Sequence, residues 1–202
     1  TRRLIIQEDV YETVKNKLVA AYGELKIGDP LDQQNHVGPL IDKDAVRMYL
    51  SAIESCKKEG GHFVVEGAVL DGPGYESGCY VKPCIAEAEP GYQIVQHETF
   101  APILYLLRYD TLEQAIAINN GVPQGLASAI FTSDVREAEL FWGFAPSPNP
   151  VAGAPRTGPR ERPMTSRLHY SQSPQLPPRH HRRRHPPKQN RPIFQSACSA
   201  LI

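Results

Sequence analysis

The residues best suited to chemistry lie between positions 97 and 104, where a carboxylate and an aromatic ring stand two positions apart. Glu98 and Phe100 come just before Pro102, and an apolar run follows. Proline fixes φ and biases the preceding residue towards extended backbone, so we expect both side chains on a loop that enters a strand. Side chains two apart in extended backbone point the same way. A carboxylate can accept two hydrogen bonds from a diol and a ring can support a flat heterocycle, so this pair could face one ligand.

The same residue types also have a purely structural interpretation. A loop glutamate beside a buried phenylalanine is common in proteins that bind nothing at that place. His97 is an acid or base by type, but a surface or packing histidine is the favoured interpretation. Residue chemistry alone therefore leaves both interpretations of the segment open.

The four cysteines give no second chemical centre. Cys56, Cys84, Cys79 and Cys198 show neither Cys-x-x-Cys spacing nor histidines at metal-ligand spacing. We predict ordinary reduced thiols, no metal site and an intracellular location, cytoplasmic or mitochondrial. No cysteine has the surroundings expected of a nucleophile.

Apolar periodicity divides the first part of the chain into alternating strands and helices. The predicted strands are residues 4–6, 62–66, 80–85, 103–107 and 125–132, and the predicted helices are residues 8–25, 43–59 and 111–119 and a last one from 133 or 134. This alternation predicts an α/β fold with a mostly parallel sheet and flanking helices.

Two helices have an inner face that can be named from spacing. We expect the first to bury a stripe formed by Val10, Val14, Leu18, Ala21 and Leu25, and the second to bury Val46, Tyr49, Ile53 and Cys56. Asp42 is placed to cap the second helix, and Gly60 to end it.

The neutral net charge conceals two parts of opposite character. Residues 1–143 hold 12 Lys and Arg against 21 Asp and Glu, a net charge of −9, whereas residues 144–202 hold 10 against one, a net charge of +9. The second part also carries 12 of the 19 prolines. Such a composition cannot bury enough apolar surface to fold, so we predict a disordered, basic, Pro-rich tail over 144–202 that is unrelated to the domain over 1–143.

Membrane and nucleic-acid partners are not favoured. No run approaches the roughly 18 apolar residues that a membrane span needs, and no basic-then-apolar leader stands at Thr1. The run from His180 to His185 is basic, but it has no interleaved aromatic residues and no recognisable nucleic-acid fold around it.

The segment from Glu98 to Pro102 resembles the Glu-x-Phe-Gly/Ala-Pro motif of the NAD(P)-dependent aldehyde dehydrogenases. Further similarity over residues 1–143 lies in Gly38-Pro39-Leu40, Tyr80-Val81-Lys82-Pro83, Asn119-Asn120 and the run Gly125 to Thr132. The wording of Thr1-Arg2-Arg3-Leu4, Lys57 to Gly61 and Gln124-Gly125-Leu126 is most similar to the antiquitin, or α-aminoadipic semialdehyde dehydrogenase, branch. The chain thus resembles a C-terminal fragment of the catalytic domain.

The resemblance implies a role for two residues. It assigns Glu98 to the nicotinamide ribose hydroxyls of NAD and Phe100 to packing beside the nicotinamide, with Pro102 and Gly125 as structural positions. It also implies an aldehyde substrate, oxidised to the carboxylic acid, and allows a homo-oligomer.

The resemblance also places the nucleophilic cysteine a few residues before Thr1, and the base glutamate and dinucleotide-binding domain further upstream. We therefore expect this chain to be inactive alone. Two alternatives stay open: a non-catalytic remnant that at most associates with full-length subunits, and a protein that interacts through its basic tail.

Overall fold

The computed structural model describes residues 1–123, 128–143 and 199–201. In this part of the chain, helices pack on a six-stranded sheet. In chain order the elements are β1 Arg3–Gln7, α1 Glu8–Gly23, α2 Lys43–Lys58, β2 His62–Val65, β3 Cys84–Glu87, α3 Gln93–Gln96, β4 Ile103–Tyr109, α4 Leu112–Asn120, β5 Ser128–Ile130, α5 Val135–Trp142 and β6 Ser199–Leu201.

The sheet is mostly parallel, as the sequence predicts. Its strand order is β2-β3-β4-β1-β6-β5, and only the β2–β3 pair is antiparallel. The first strand of the chain lies inside the sheet, where Arg3 pairs with Tyr105 of β4 and with Ser199 of β6. Strands buried on both faces read as continuous apolar runs, which is the pattern of β1 and β4.

The core therefore lies on both sides of the sheet. Ile5, Tyr105 and Leu107 face the layer that contains α2 and α4, while Leu4 and Leu106 face the layer that contains α1. This alternation follows from the period of two along a strand.

The second helix forms as predicted. Its buried residues include Val46, Tyr49, Ile53 and Cys56. Asp42 caps it by accepting a hydrogen bond from the backbone N–H of Ala45 at 2.8 Å.

The inner face of the first helix was predicted one position out of phase at its start and near its end, where Ala21 is exposed and Tyr22 packs against the core instead. Val10 is 38% exposed, whereas Tyr11 is 1% exposed and packs with Val14 and Leu18 against the sheet. The Tyr11 hydroxyl donates to Glu87 at 3.1 Å. The contact of Tyr11 with Glu87 in β3 therefore explains why Tyr11, and not Val10, faces the sheet. Helix periodicity cannot show such a contact between elements.

The strand predicted over 80–85 was misplaced, because Val81 forms only an isolated bridge with Val69 and β3 begins at Cys84. Pro83 has no N–H to donate, so the ladder begins after it, where the Cys84 N–H donates to the Pro102 carbonyl at 3.0 Å.

Two further elements differ from prediction. The short helix Gln93–Gln96 was not predicted, because four residues show no period. Ser199–Leu201 forms a strand between β1 and β5, although the sequence predicts disorder over 144–202. Three small or apolar residues suffice to pair with both neighbours, and they are too few to give a strand pattern in a Pro-rich context. Three ranges lie outside the described residues: 124–127, 144–198 and 202. The first of them includes the start of the predicted strand 125–132.

Among the helices that the structure describes, none is both long enough and apolar enough to cross a bilayer.

Candidate coenzyme site

The parallel pairing of β1 with β4 decides where the candidate site lies. Residues that precede two parallel neighbours emerge at the same edge of a sheet. The segment 97–102 leads into Ile103 of β4, and Thr1 and Arg2 lead into β1. Glu98 and the beginning of the chain therefore share one edge of the sheet.

The loop that carries Glu98 is fixed at both ends. The His97 N–H closes the short helix on the Gln93 carbonyl at 3.0 Å. Two tight turns follow, in which Ala101 donates to Thr99 and Ile103 donates to Ala101, each at 2.8 Å. Glu98 thus belongs to a compact turn with ordered ends.

Exposure separates the two interpretations of this loop. The Phe100 side chain is 55% exposed, and Glu98 is half-buried. An aromatic ring with more than half its surface in water is not a packing residue, so the structural interpretation does not describe Phe100. The ring is available to an incoming planar group. His97 is exposed as well, as expected of a surface histidine.

Arg2 approaches the loop from the start of β1. It is 7% exposed, and its Nη1 donates to the His97 carbonyl. Burial lowers the pKa of the Arg2 guanidinium, and the Glu98 carboxylate partly opposes that shift. The candidate site therefore contains a buried cation that is hydrogen-bonded to the backbone directly before its carboxylate.

Arg3 reaches a different segment. Its two terminal nitrogens donate to the carbonyls of Ile118 and Asn119, at 2.9 and 3.0 Å, at the C-terminal end of α4. Burial, and secondarily the charge of Arg2, lowers the pKa of Arg3 to about 10. A cation at a helix C-terminus is favoured by the helix dipole.

Neither Arg2 nor Arg3 was predicted from the sequence as a site residue. The available signal was two consecutive arginines immediately before a buried apolar strand, a place where a charge must find a partner.

The described cysteines do not provide a nucleophile. Cys56 and Cys84 are fully buried, and burial raises the pKa of these thiols to about 11 and about 12. Cys79 is half-buried, and its thiol lies 3.6 Å from the Ser77 carbonyl. Within residues 1–123, 128–143 and 199–201, no group of three or more metal-ligating side chains could hold a metal ion.

The mostly parallel sheet with its flanking helices defines an α/β domain, and comparison with known proteins names its family. Residues 1–143 match the model of the aldehyde dehydrogenase family. The chain belongs to the aldehyde dehydrogenase family.

Individual relatives agree with the branch that the sequence indicates. Over 135 residues the chain is 44% identical to the bovine alpha-aminoadipic semialdehyde dehydrogenase, covering 66% of this chain and 24% of that protein. Over 132 residues it is 42% identical to the apple (Malus domestica) aldehyde dehydrogenase family 7 member A1, covering 65% and 25%.

Solved structures agree with the fold. The betaine aldehyde dehydrogenase from Staphylococcus aureus in complex with NAD+ superposes with a TM-score of 0.66 at 25% identity, over 69% of this chain and 28% of that one. The present chain thus spans about a quarter of the length of the curated relatives that it matches.

Proposed function

We propose that this chain supplies the nicotinamide-ribose contact of an NAD-dependent aldehyde dehydrogenase, through Glu98 and Phe100. The observation that carries the proposal is the half-exposed Phe100 ring beside a half-buried carboxylate, within a motif that the family resemblance assigns to the coenzyme. A carboxylate accepts hydrogen bonds from both hydroxyls of a ribose, and an exposed ring packs against a flat heterocycle.

The residues present fit this role. NAD, when bound, accepts the hydride that leaves the aldehyde carbon. Glu98 would fix the ribose, and Phe100 would restrict the position of the nicotinamide. Restricting both reactants is where much of the rate acceleration of such a transfer arises.

The substrate that we propose is α-aminoadipic semialdehyde, oxidised to the carboxylic acid. The support is the sequence similarity over residues 1–143 to proteins of that name.

We infer further that these residues do not catalyse the reaction alone. In the described part of the chain, Cys56 and Cys84 are buried with raised pKa values, so neither provides the thiolate that attacks an aldehyde. The resemblance places that cysteine just before Thr1. A segment leading into β1 would enter at the same sheet edge as Glu98, so a cysteine there would lie on the side of the sheet where Glu98 would hold the coenzyme.

A second candidate is a non-catalytic remnant that associates with full-length subunits. Phe131 and Val135, beside the edge strand β5, are 62% and 70% exposed, which is the apolar exposure such an association would cover. Co-elution with a full-length aldehyde dehydrogenase, abolished by Phe131→Asp, would support this function.

The test of the proposed coenzyme role is NAD binding by the 202-residue chain, compared with its Glu98→Gln and Glu89→Gln variants. Loss of a charge-assisted hydrogen-bond acceptor should weaken binding about tenfold in the first variant. The exposed Glu89 is a matched control that should leave binding unchanged. Because the resemblance places the dinucleotide-binding domain upstream, we expect weak binding, and the assay therefore uses NAD at millimolar concentration. No binding at that concentration, or equal loss in both variants, contradicts the proposal.

Oxidation of α-aminoadipic semialdehyde is followed in parallel. We expect no turnover by the chain alone; turnover would contradict the inferred need for an upstream cysteine.

A further inference from the structure

We propose that Arg2 is a positioning residue for the coenzyme contact, and that it holds Glu98 in place through the backbone directly before it. The inference rests on the proposed function, since it names the residue on which the Glu98 carboxylate depends. Arg2 acts through Glu98 and the backbone next to it, and does not contact the coenzyme itself.

The contacts join two segments that are distant in sequence. Arg2 Nη1 donates to the carbonyl of His97, 95 residues away and directly before Glu98. The Glu98 carboxylate also favours the charged guanidinium, since it partly opposes the lowering of the Arg2 pKa by burial. One side chain is therefore bonded to the backbone directly before the carboxylate, and the carboxylate charge favours the cation in that position.

Burial makes this arrangement costly without a partner. Arg2 is 7% exposed, and its Nε has no hydrogen-bond partner in the part of the chain that the structure describes. A desolvated cation is favourable only next to groups that compensate its charge. The His97 carbonyl and the Glu98 carboxylate are such groups, so the position of Arg2 and that of the loop are coupled.

Arg3 provides an internal comparison. It is also buried, at 3% exposure, and adjacent in the chain, but its guanidinium donates to the carbonyls of Ile118 and Asn119 at the end of α4. A general requirement for buried arginine at the start of β1 would affect both residues alike. A positioning role through Glu98 predicts a larger effect of Arg2, which donates to the carbonyl directly before Glu98.

The experiment measures NAD affinity and amide hydrogen exchange of residues 93–102 in the 202-residue chain, for wild type, Arg2→Met, Arg3→Met, Glu98→Gln and the Arg2→Met/Glu98→Gln double variant. We expect Arg2→Met to weaken NAD binding about tenfold and to speed exchange in the loop, because a charge-assisted hydrogen bond is lost. Arg3→Met should destabilise the end of α4 and leave both quantities unchanged. The double variant should bind no more weakly than Glu98→Gln alone, because Arg2 acts through Glu98.

Two outcomes overturn the proposal: equal effects of Arg2→Met and Arg3→Met on the loop, or additive losses in the double variant. Additive losses would mean that Arg2 attracts the anionic coenzyme directly. If Arg2→Met does not fold, Arg2→Lys replaces it. Lysine keeps the charge but lacks the planar, two-pronged guanidinium, so NAD affinity and amide exchange should change in the same direction but by less.

Failure of the proposed function is a separate result. A wild-type chain that binds no NAD refutes the coenzyme role. The hydrogen-exchange comparison still decides whether Arg2 fixes the Glu98 loop, since unchanged exchange in Arg2→Met would refute the positioning role.

Discussion

The guanidinium carbon of Arg108 lies 3.5 Å from the centre of the Tyr11 ring, so strand β4 is joined to helix α1 by a stacked cation and ring. The same guanidinium contacts Glu8 at 2.5 Å and Glu12 at 2.7 Å, both on α1. Planar stacking and forked hydrogen bonds are possible together only for arginine.

We predict that Arg108→Met lowers the free energy of unfolding by about 1 kcal/mol, the sum expected of an exposed cation–π contact and two surface ion pairs. Urea unfolding measures it, and added salt should reduce the difference because it screens the ion pairs. Among the described residues Arg47 pairs with Asp44, one turn away, and it is 72% exposed, so Arg47→Met is the control and should have almost no effect. Equal destabilisation by both variants would contradict the assignment.

Gly67 has no room for a side chain. A Cβ built there would overlap the Tyr49 hydroxyl and lie 2.7 Å from Cδ1 of Ile53, both on α2. We expect Gly67→Ala to cost about 1–3 kcal/mol of stability through overpacking. The matched variant is Gly23→Ala, where a Cβ meets nothing within 4 Å at the end of α1. It should be neutral or stabilise by roughly 0.5 kcal/mol, as alanine is the better helix former. Thermal unfolding of both proteins checks the contrast.

Phe100 should matter for binding and not for folding. Removing a 55% exposed ring creates no cavity, so Phe100→Ala should leave the unfolding midpoint unchanged while weakening NAD binding roughly three- to tenfold through lost ring packing. Phe131, 62% exposed and remote in sequence from the Glu98 motif, is the control. A fall in stability with Phe100→Ala, or an equal effect of Phe131→Ala on NAD affinity, would show that the ring has another role.

The buried thiols predict alkaline sensitivity. The pKa of Cys56 is raised from 9.0 to about 11, and that of Cys84 to about 12, because burial disfavours the thiolate. Above pH 9.0 the unfolded chain therefore loses protons that the folded chain keeps, and the free energy of unfolding should fall as pH rises towards 11. Urea unfolding across this range measures the slope, which Cys56→Ala should reduce and Cys79→Ala should not. An unchanged slope in Cys56→Ala would refute this cause.

Thiol labelling of the native chain gives an independent measurement. Iodoacetamide should modify the half-buried Cys79 before Cys56 or Cys84, with peptide mass spectrometry identifying the sites. Modification of Cys84 without unfolding would contradict its burial.

How far the sequence predicts this structure depends on the range over which the deciding contacts act. The inner face of α2 follows from periodicity alone, since four apolar residues recur at helical spacing and all are buried. The inner face of α1 does not follow from periodicity, because Tyr11 is held against the sheet by Glu87 of β3 and Arg108 of β4. Local pattern fixes an element, and tertiary contacts fix its rotation.

The candidate site divides in the same way. Glu98 and Phe100 are visible in the sequence because a short motif carries them, and the structure supports an exposed ring beside a carboxylate. Their assignment to NAD stays a prediction. The partner of Arg2 is 95 residues away, so only the parallel pairing of β1 with β4 reveals it.

The placement of β1 also affects how the chain folds while it is synthesised on the ribosome. Its residues are synthesised well before their sheet neighbours: Arg3 finds one neighbour only when Tyr105 has emerged, and its other neighbour is Ser199. Closing so long a loop is entropically slow, and the apolar strand stays exposed until then. In a nascent chain, β1 should therefore stay unpaired with β4 until β4 has left the exit tunnel, and an apolar strand in that state is prone to aggregate.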